Sequence, residues 1–151
     1  MRRAALAVII ALSLSTTTIA RADRVADADA LFKAAKELTQ AEQWTEACEK
    51  FEASFELDEQ LGTLLNIADC YEHVNRFATA WERWNRAQSW AKRDDDERSG
   101  YIEERRSAIE DRVPWLIIDA QEDSDLIVKR GDYAVPSASY GVRLLVDMGT
   151  I

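Results

Sequence analysis

Residues 61–87 read LGTLLNIADCYEHVNRFATAWERWNRA, and residues 28–54 read ADALFKAAKELTQAEQWTEACEKFEAS. Sliding the chain by 33 residues lays one string on the other. Leu31 then falls on Leu64, Ala34 on Ile67, Ala35 on Ala68 and Leu38 on Tyr71. Further along, Ala47 falls on Ala80, Phe51 on Trp84 and Ser54 on Ala87. Apolar residues at three- and four-residue steps mark one face of a helix. In each copy two such faces are separated by a short polar break, Gln40 to Gln43 in the first. Helices joined by so short a break predict an antiparallel hairpin. A unit of this size cannot bury its faces alone, so its neighbours must stack.

Close packing explains the residue sizes. Ala35 and Ala68 are small where the partner helix crosses, Ala47 and Ala80 face them, and Phe51, Trp84 and Ala87 complete the pattern. Working outward, the chain from Ala28 to Arg112 has no proline and only two glycines, Gly62 and Gly100. That absence of breakers favours helix throughout. A third helix is expected over Asp94–Arg112, with Tyr101, Ile102, Arg105 and Ile109 on one face. It reads as the capping helix that a short array needs at its end. Its acidic start, Asp94 to Glu97, suits the positive end of the helix dipole. At Val113-Pro114 the composition changes. Trp115–Ile118, Leu126–Val128 and Val142–Val146 are β-branched or aliphatic runs punctuated by Gly131-Asp132, Pro136 and Gly141, and they predict short strands.

The motifs Leu64-x-x-Ile67-Ala68-x-x-Tyr71 and Ala80-x-x-x-Trp84-x-x-Ala87 resemble the tetratricopeptide repeat. The chain departs from that family with Leu38 at an aromatic position, Glu59 at a frequent proline, and a period one residue short of the usual value of about 34. The resemblance implies a mainly α fold over residues 23–112: two tetratricopeptide-like antiparallel helix hairpins plus the capping helix. It also implies a concave groove lined by the first helix of each repeat. Phe32 and Lys36 would come from the first copy, and Leu65, Asn66, Asp69, Glu72 and His73 from the second. Some members grip a terminal carboxylate there. Asn66 stands at a matching place, but Phe32 and Lys36 replace a lysine and an asparagine, and Asp95 and Ser99 replace a basic pair. Such a clamp is therefore disfavoured. A mixed apolar and acidic groove suits a segment with apolar anchors and some basic residues. Residues 113–151 resemble the opening of a β-sandwich of the PEGA or carboxypeptidase-regulatory type, with a turn near Gly131-Asp132 and with Asp147-Met148-Gly149 introducing a further strand. The sandwich reads as short and incomplete. The alternative is a small β-appendage that pairs with the helices.

The N-terminus sets the expected compartment. Arg2 and Arg3, an apolar run from Ala4 to Leu14, and the tripeptide Ala20-Arg21-Ala22 follow the order of a secretory signal peptide, residues 1–22, cut after Ala22. The apolar run is too short to span a bilayer, which needs about 20 such residues. Export to the periplasm or beyond is the expected localisation. The cut removes Arg2, Arg3 and Arg21 and no acidic residue, so the formal charge moves from −9 to −12. An acidic surface argues against nucleic acid, whose binding is dominated by phosphate neutralisation. It also argues against anionic membrane surfaces. Cys48 and Cys70 lie on sequential helices of the array, and in an oxidising compartment they predict a disulfide.

A catalytic constellation is missing from this reading. His73 is the single histidine and has no cysteine or second histidine at metal spacing, so no metal or cofactor is expected. The carboxylates are dispersed, and neither a nucleophile elbow nor a phosphate loop occurs. An enzyme is not expected. Phe77, Trp81 and Trp84 recur at helical steps. Trp84 belongs to the repeat core, and Trp81 is the better contact residue. The reading is an exported scaffold or adaptor that binds a protein or peptide segment, with the β-piece adding a second contact or an envelope attachment. The alternative is a module that binds cell-envelope glycan or peptidoglycan through Trp81 and the β-piece.

Overall fold

The computed structural model describes residues 2–120 and 126–149, with side chains from residue 21 onward. The side chains of the expected leader, including Ala20, lie outside that set, and Ala22 is exposed. Five helices come first: α1 (Arg2–Gln40), α2 (Trp44–Leu57), α3 (Leu61–His73), α4 (Phe77–Arg93) and α5 (Ser99–Ile109). A 3-10 turn, Glu110–Arg112, leads into four short strands: β1 (Trp115–Ile117), β2 (Lys129–Arg130), β3 (Tyr133–Ala134) and β4 (Arg143–Leu145). The protein is mainly α, as the spacing predicted. Among the described residues no helix is long and apolar enough to cross a membrane. The chain divides into two compact units, Met1–Leu64 and Leu65–Ile151.

In the first unit α1 and α2 form a hairpin. Ala28, Ala35, Ala47 and Phe51 are buried between them. The Phe32 ring meets Phe51 edge to face at 5.4 Å. The buried Ser54 hydroxyl donates to the Ala28 carbonyl at 2.8 Å. Arg24 Nη2 donates to the Leu57 carbonyl at 3.0 Å, one of the carbonyls that a helix end leaves open. The turn closes with the Gln43 N–H on the Leu38 carbonyl at 2.9 Å and the Glu42 N–H on the Thr39 carbonyl at 3.2 Å. Glu42 sits at φ 59°. This is the left-handed cap that ends many helices.

The second unit repeats that turn. The Arg76 N–H reaches the Tyr71 carbonyl at 2.9 Å, the Asn75 N–H reaches the Glu72 carbonyl at 3.1 Å, and Asn75 has φ 58°. Trp84 is fully buried, as are Ile67, Ala68, Ala80, Ala87 and Ile102. Its ring meets Tyr101 of α5 at 6.2 Å. The capping helix is shorter than expected. Asp94 to Glu97 do not open it, because they are used in the turn that ends α4. Asp95 adopts φ 52°, the Asp96 N–H bonds the Ala91 carbonyl at 2.9 Å, and the Trp90 indole donates to Asp94 at 2.7 Å. The Asp96 carboxylate accepts the Arg98 backbone N–H at 2.9 Å and its guanidinium at 2.6 Å. These bonds hold its pKa down to about 2.

After the helices, β1 pairs antiparallel with β4, Leu116 opposite Leu144. The Gly131-Asp132 turn joins β2 to β3, with Gly131 at φ +60°, a conformation that favours glycine. The run Leu126–Val128 is not a strand. Val128 accepts one bond from Val135, and Leu126 and Ile127 are exposed. The described strands form two separate two-stranded ladders.

Candidate functional site

The expected groove residues of the second copy lie on α3. Leu65 and Asn66 are half-buried there. Asp69, Glu72 and His73, one helical turn apart, open together into a cavity of about 290 Å³ that Arg105 and Arg112 complete. Phe32 and Lys36 belong to the other unit. Phe32 is half-buried against Phe51, and Lys36 is exposed.

The cavity's polar network begins at the core. Glu72 Oε1 accepts the indole N–H of Trp84 at 2.7 Å, so a repeat-core aromatic fixes this carboxylate. Its other oxygen pairs with Arg105 at 2.9 Å, and Arg105 also meets Asp69 at 2.8 Å. The Arg105 guanidinium lies 5.5 Å from the Trp84 ring, within cation–π range. Burial works against its charge, but Glu72 and Asp69 outweigh burial and raise its pKa. His73 Nε2 stands 3.8 Å from Asp69. Arg112 stacks on the Phe77 ring at 3.9 Å. One guanidinium therefore holds both carboxylates, and a second lies flat at the rim. Such a recess recognises polar or charged groups of a ligand by hydrogen bonds rather than by apolar burial. Among the described residues no group of three or more His, Cys, Asp or Glu side chains is placed to hold a metal ion.

Arg105 carries the network, yet in the sequence it stood only as a member of the α5 apolar stripe. A charged residue on a buried stripe implies a carboxylate partner, and that is the signal that could have found it. Arg112 left no comparable trace, because it lies on a 3-10 turn.

Trp81, expected as a contact residue, is half-buried. Its ring meets Trp115 of β1 at 5.8 Å, and its indole N–H is buried without an acceptor among the described residues. Arg143 covers the Trp115 ring at 4.4 Å. Trp81 and Trp115 are thus paired, each half-buried. The strand that Asp147 was expected to introduce lies outside the described residues; within them Asp147 bonds the start of α4. It accepts the Thr79 N–H at 3.1 Å, the Thr79 hydroxyl, and Arg76 Nε at 3.0 Å.

A second cavity, about 560 Å³, lies in the first unit among Arg21, Arg24, Val25 and the α2 end from Glu56 to Glu59. None of the expected groove residues lines it. Cys48 and Cys70, both buried, are disulfide-bonded, and no free cysteine remains. This is the pairing the helix positions predicted.

No protein-family model, no curated protein and no solved structure matches the chain.

Proposed function

We propose that the chain is an exported helical-repeat adaptor that holds a segment of another protein against its second repeat. The observation that carries this reading is the shared cavity of Asp69, Glu72, His73, Arg105 and Arg112. Three of these residues lie within about one turn of α3, and the repeat core positions one of them through the Trp84–Glu72 bond. A repeat scaffold supplies rigidity, and a polar recess on its first helix supplies specificity. Export is supported by the order of the first 22 residues and by the disulfide, a bond that persists in oxidising compartments. The reading assigns the chain no chemical step, cofactor or metal. The glycan alternative would rest on the half-buried Trp81–Trp115 pair.

The test uses the full chain as bait in cell-envelope extract. One variant carries His73→Glu with Arg112→Glu, and a second carries Phe32→Ala with Lys36→Ala. A protein band lost with the first variant and kept with the second supports the adaptor reading. Retention on purified cell-wall material with no protein partner would sink it in favour of the glycan module.

A further inference from the structure

The described residues between Val113 and Gly149 have little core of their own. Their strands are two or three residues long and make two separate two-stranded ladders, and an isolated ladder of that kind is marginal in water. Val113, Val135 and Val146 are buried, whereas Ile117, Ile127, Tyr133, Val142 and Met148 are exposed. Contacts with α4 hold the segment in place. Trp115 meets Trp81, and Asp147 enters the first turn of the helix. That turn has no side-chain cap of its own at Arg76. Asp147, 68 residues beyond Thr79, supplies one, and its side chain is only 5% exposed. Aspartate is among the best caps for a helix start, where negative charge is also favoured by the helix dipole.

We propose that the described residues 113–120 and 126–149 form a strap latched to α4 by Asp147, and that loss of this carboxylate's charge frees the strap and uncovers Trp81. Arg76 faces Asp147 with its guanidinium, and Thr79 donates to it through its N–H and hydroxyl. Within the strap, Arg130 Nη1 bonds the Leu145 carbonyl and Arg143 lies on Trp115; at its root Arg112 lies on Phe77. These arginines keep their charge through the acid range, whereas the Asp147 carboxylate titrates there. Burial pushes the Asp147 carboxyl up, but the bonds from Thr79 and Arg76 outweigh it and hold it below the usual carboxylate range. A carboxyl lowered in the folded state stabilises above its unfolded pKa, about 3.9, and ceases to as pH falls through the folded value. The latch therefore holds at neutral pH and opens in acid.

The experiment compares the disulfide-bonded full chain with its Asp147→Ala and Asp147→Asn variants. The readouts are amide exchange at residues 115–117 and 143–146 and quencher access to Trp81. The Trp84 indole signal, held by Glu72, reports on the rest of the unit. In Asp147→Ala, exchange in both strands should rise about tenfold or more, the mark of a separately opening unit, with the Trp84 signal unchanged. Asp147→Asn keeps an acceptor for the Thr79 N–H without the charge. Its protection, taken relative to the intrinsic exchange rate at each pH, should fall less and should not fall further on acidification, whereas that of the wild type should. Unchanged exchange in Asp147→Ala would overturn the latch. Loss of the Trp84 signal together with the strand protection would overturn the strap as an independent unit.

Discussion

In the first repeat copy the α1–α2 turn places Glu42 at φ 59°; in the second, 33 residues on, the α3–α4 turn places Asn75 at φ 58°. The closing bonds, Gln43 to Leu38 and Arg76 to Tyr71, are both 2.9 Å. The backbones agree to that degree while the side chains diverge. In the first copy Ser54 ties α2 to the Ala28 carbonyl and Phe51 meets Phe32, both within the hairpin. In the second, Ala87 stands at the Ser54 position and Trp84 at the Phe51 position, and the indole bonds Glu72. Where the first copy has Lys36, Thr39 and Gln40, the second has Asp69, Glu72 and His73. The small-large pattern and the turn carry the hairpin, which leaves the outer positions of each copy free to specialise.

Paired substitutions break that comparison most strongly at its aromatic position. Phe51→Ala and Trp84→Ala should each cost about 3–5 kcal/mol in urea unfolding, the usual range for a large buried aromatic. Trp84→Ala should cost more, because it also removes the N–H that Glu72 accepts. Reducing the Cys48–Cys70 disulfide, or changing both residues to serine, should cost about 3 kcal/mol by freeing a closed loop in the unfolded chain. An unchanged denaturation midpoint on reduction would refute that. Ser54→Ala should cost about 1 kcal/mol, since it removes one buried hydrogen bond from a carbonyl that keeps its bond within α1. The turns offer a finer contrast. Glycine accepts the left-handed conformation without strain, and asparagine tolerates it better than glutamate. Glu42→Gly should therefore stabilise by up to about 1 kcal/mol and Asn75→Gly by less, and the reverse order would mean the two turns are not equivalent. Smallest is the pH effect at Asp96. With its pKa lowered to about 2, its contribution is present above the ordinary carboxylate value and disappears as pH falls through about 2. In Asp96→Asn that part of the acid dependence should vanish.

Much of this fold was legible because repetition fixes spacing. Ala35 and Ala68, Ala47 and Ala80, and Phe51 and Trp84 are buried in equivalent places, and the cysteine pairing followed from their helices. The residues that misled are those whose partners lie far along the chain or in an unrecognised turn. Asp94 to Glu97 look like a helix start, yet a residue in the left-handed conformation at Asp95 makes them a helix end. Leu126–Val128 has strand composition but only a single bond from Val135. Asp147 reads locally as a turn residue, and nothing nearby announces that it caps a helix beginning 70 residues earlier, at Phe77. At the site, Asp69, Glu72 and His73 came from the repeat register. Their union with Arg105 and Arg112 depended on how α5 and its 3-10 extension pack, which composition does not encode.

The central claim is that the second copy, and not the first, meets the partner. A photo-crosslinking residue placed at His73, and in a separate chain at the equivalent Gln40, tests it most directly in cell-envelope extract. The account predicts a discrete crosslinked protein from position 73, abolished by Arg112→Glu, and none from position 40. Equal or stronger crosslinking from position 40 would contradict it.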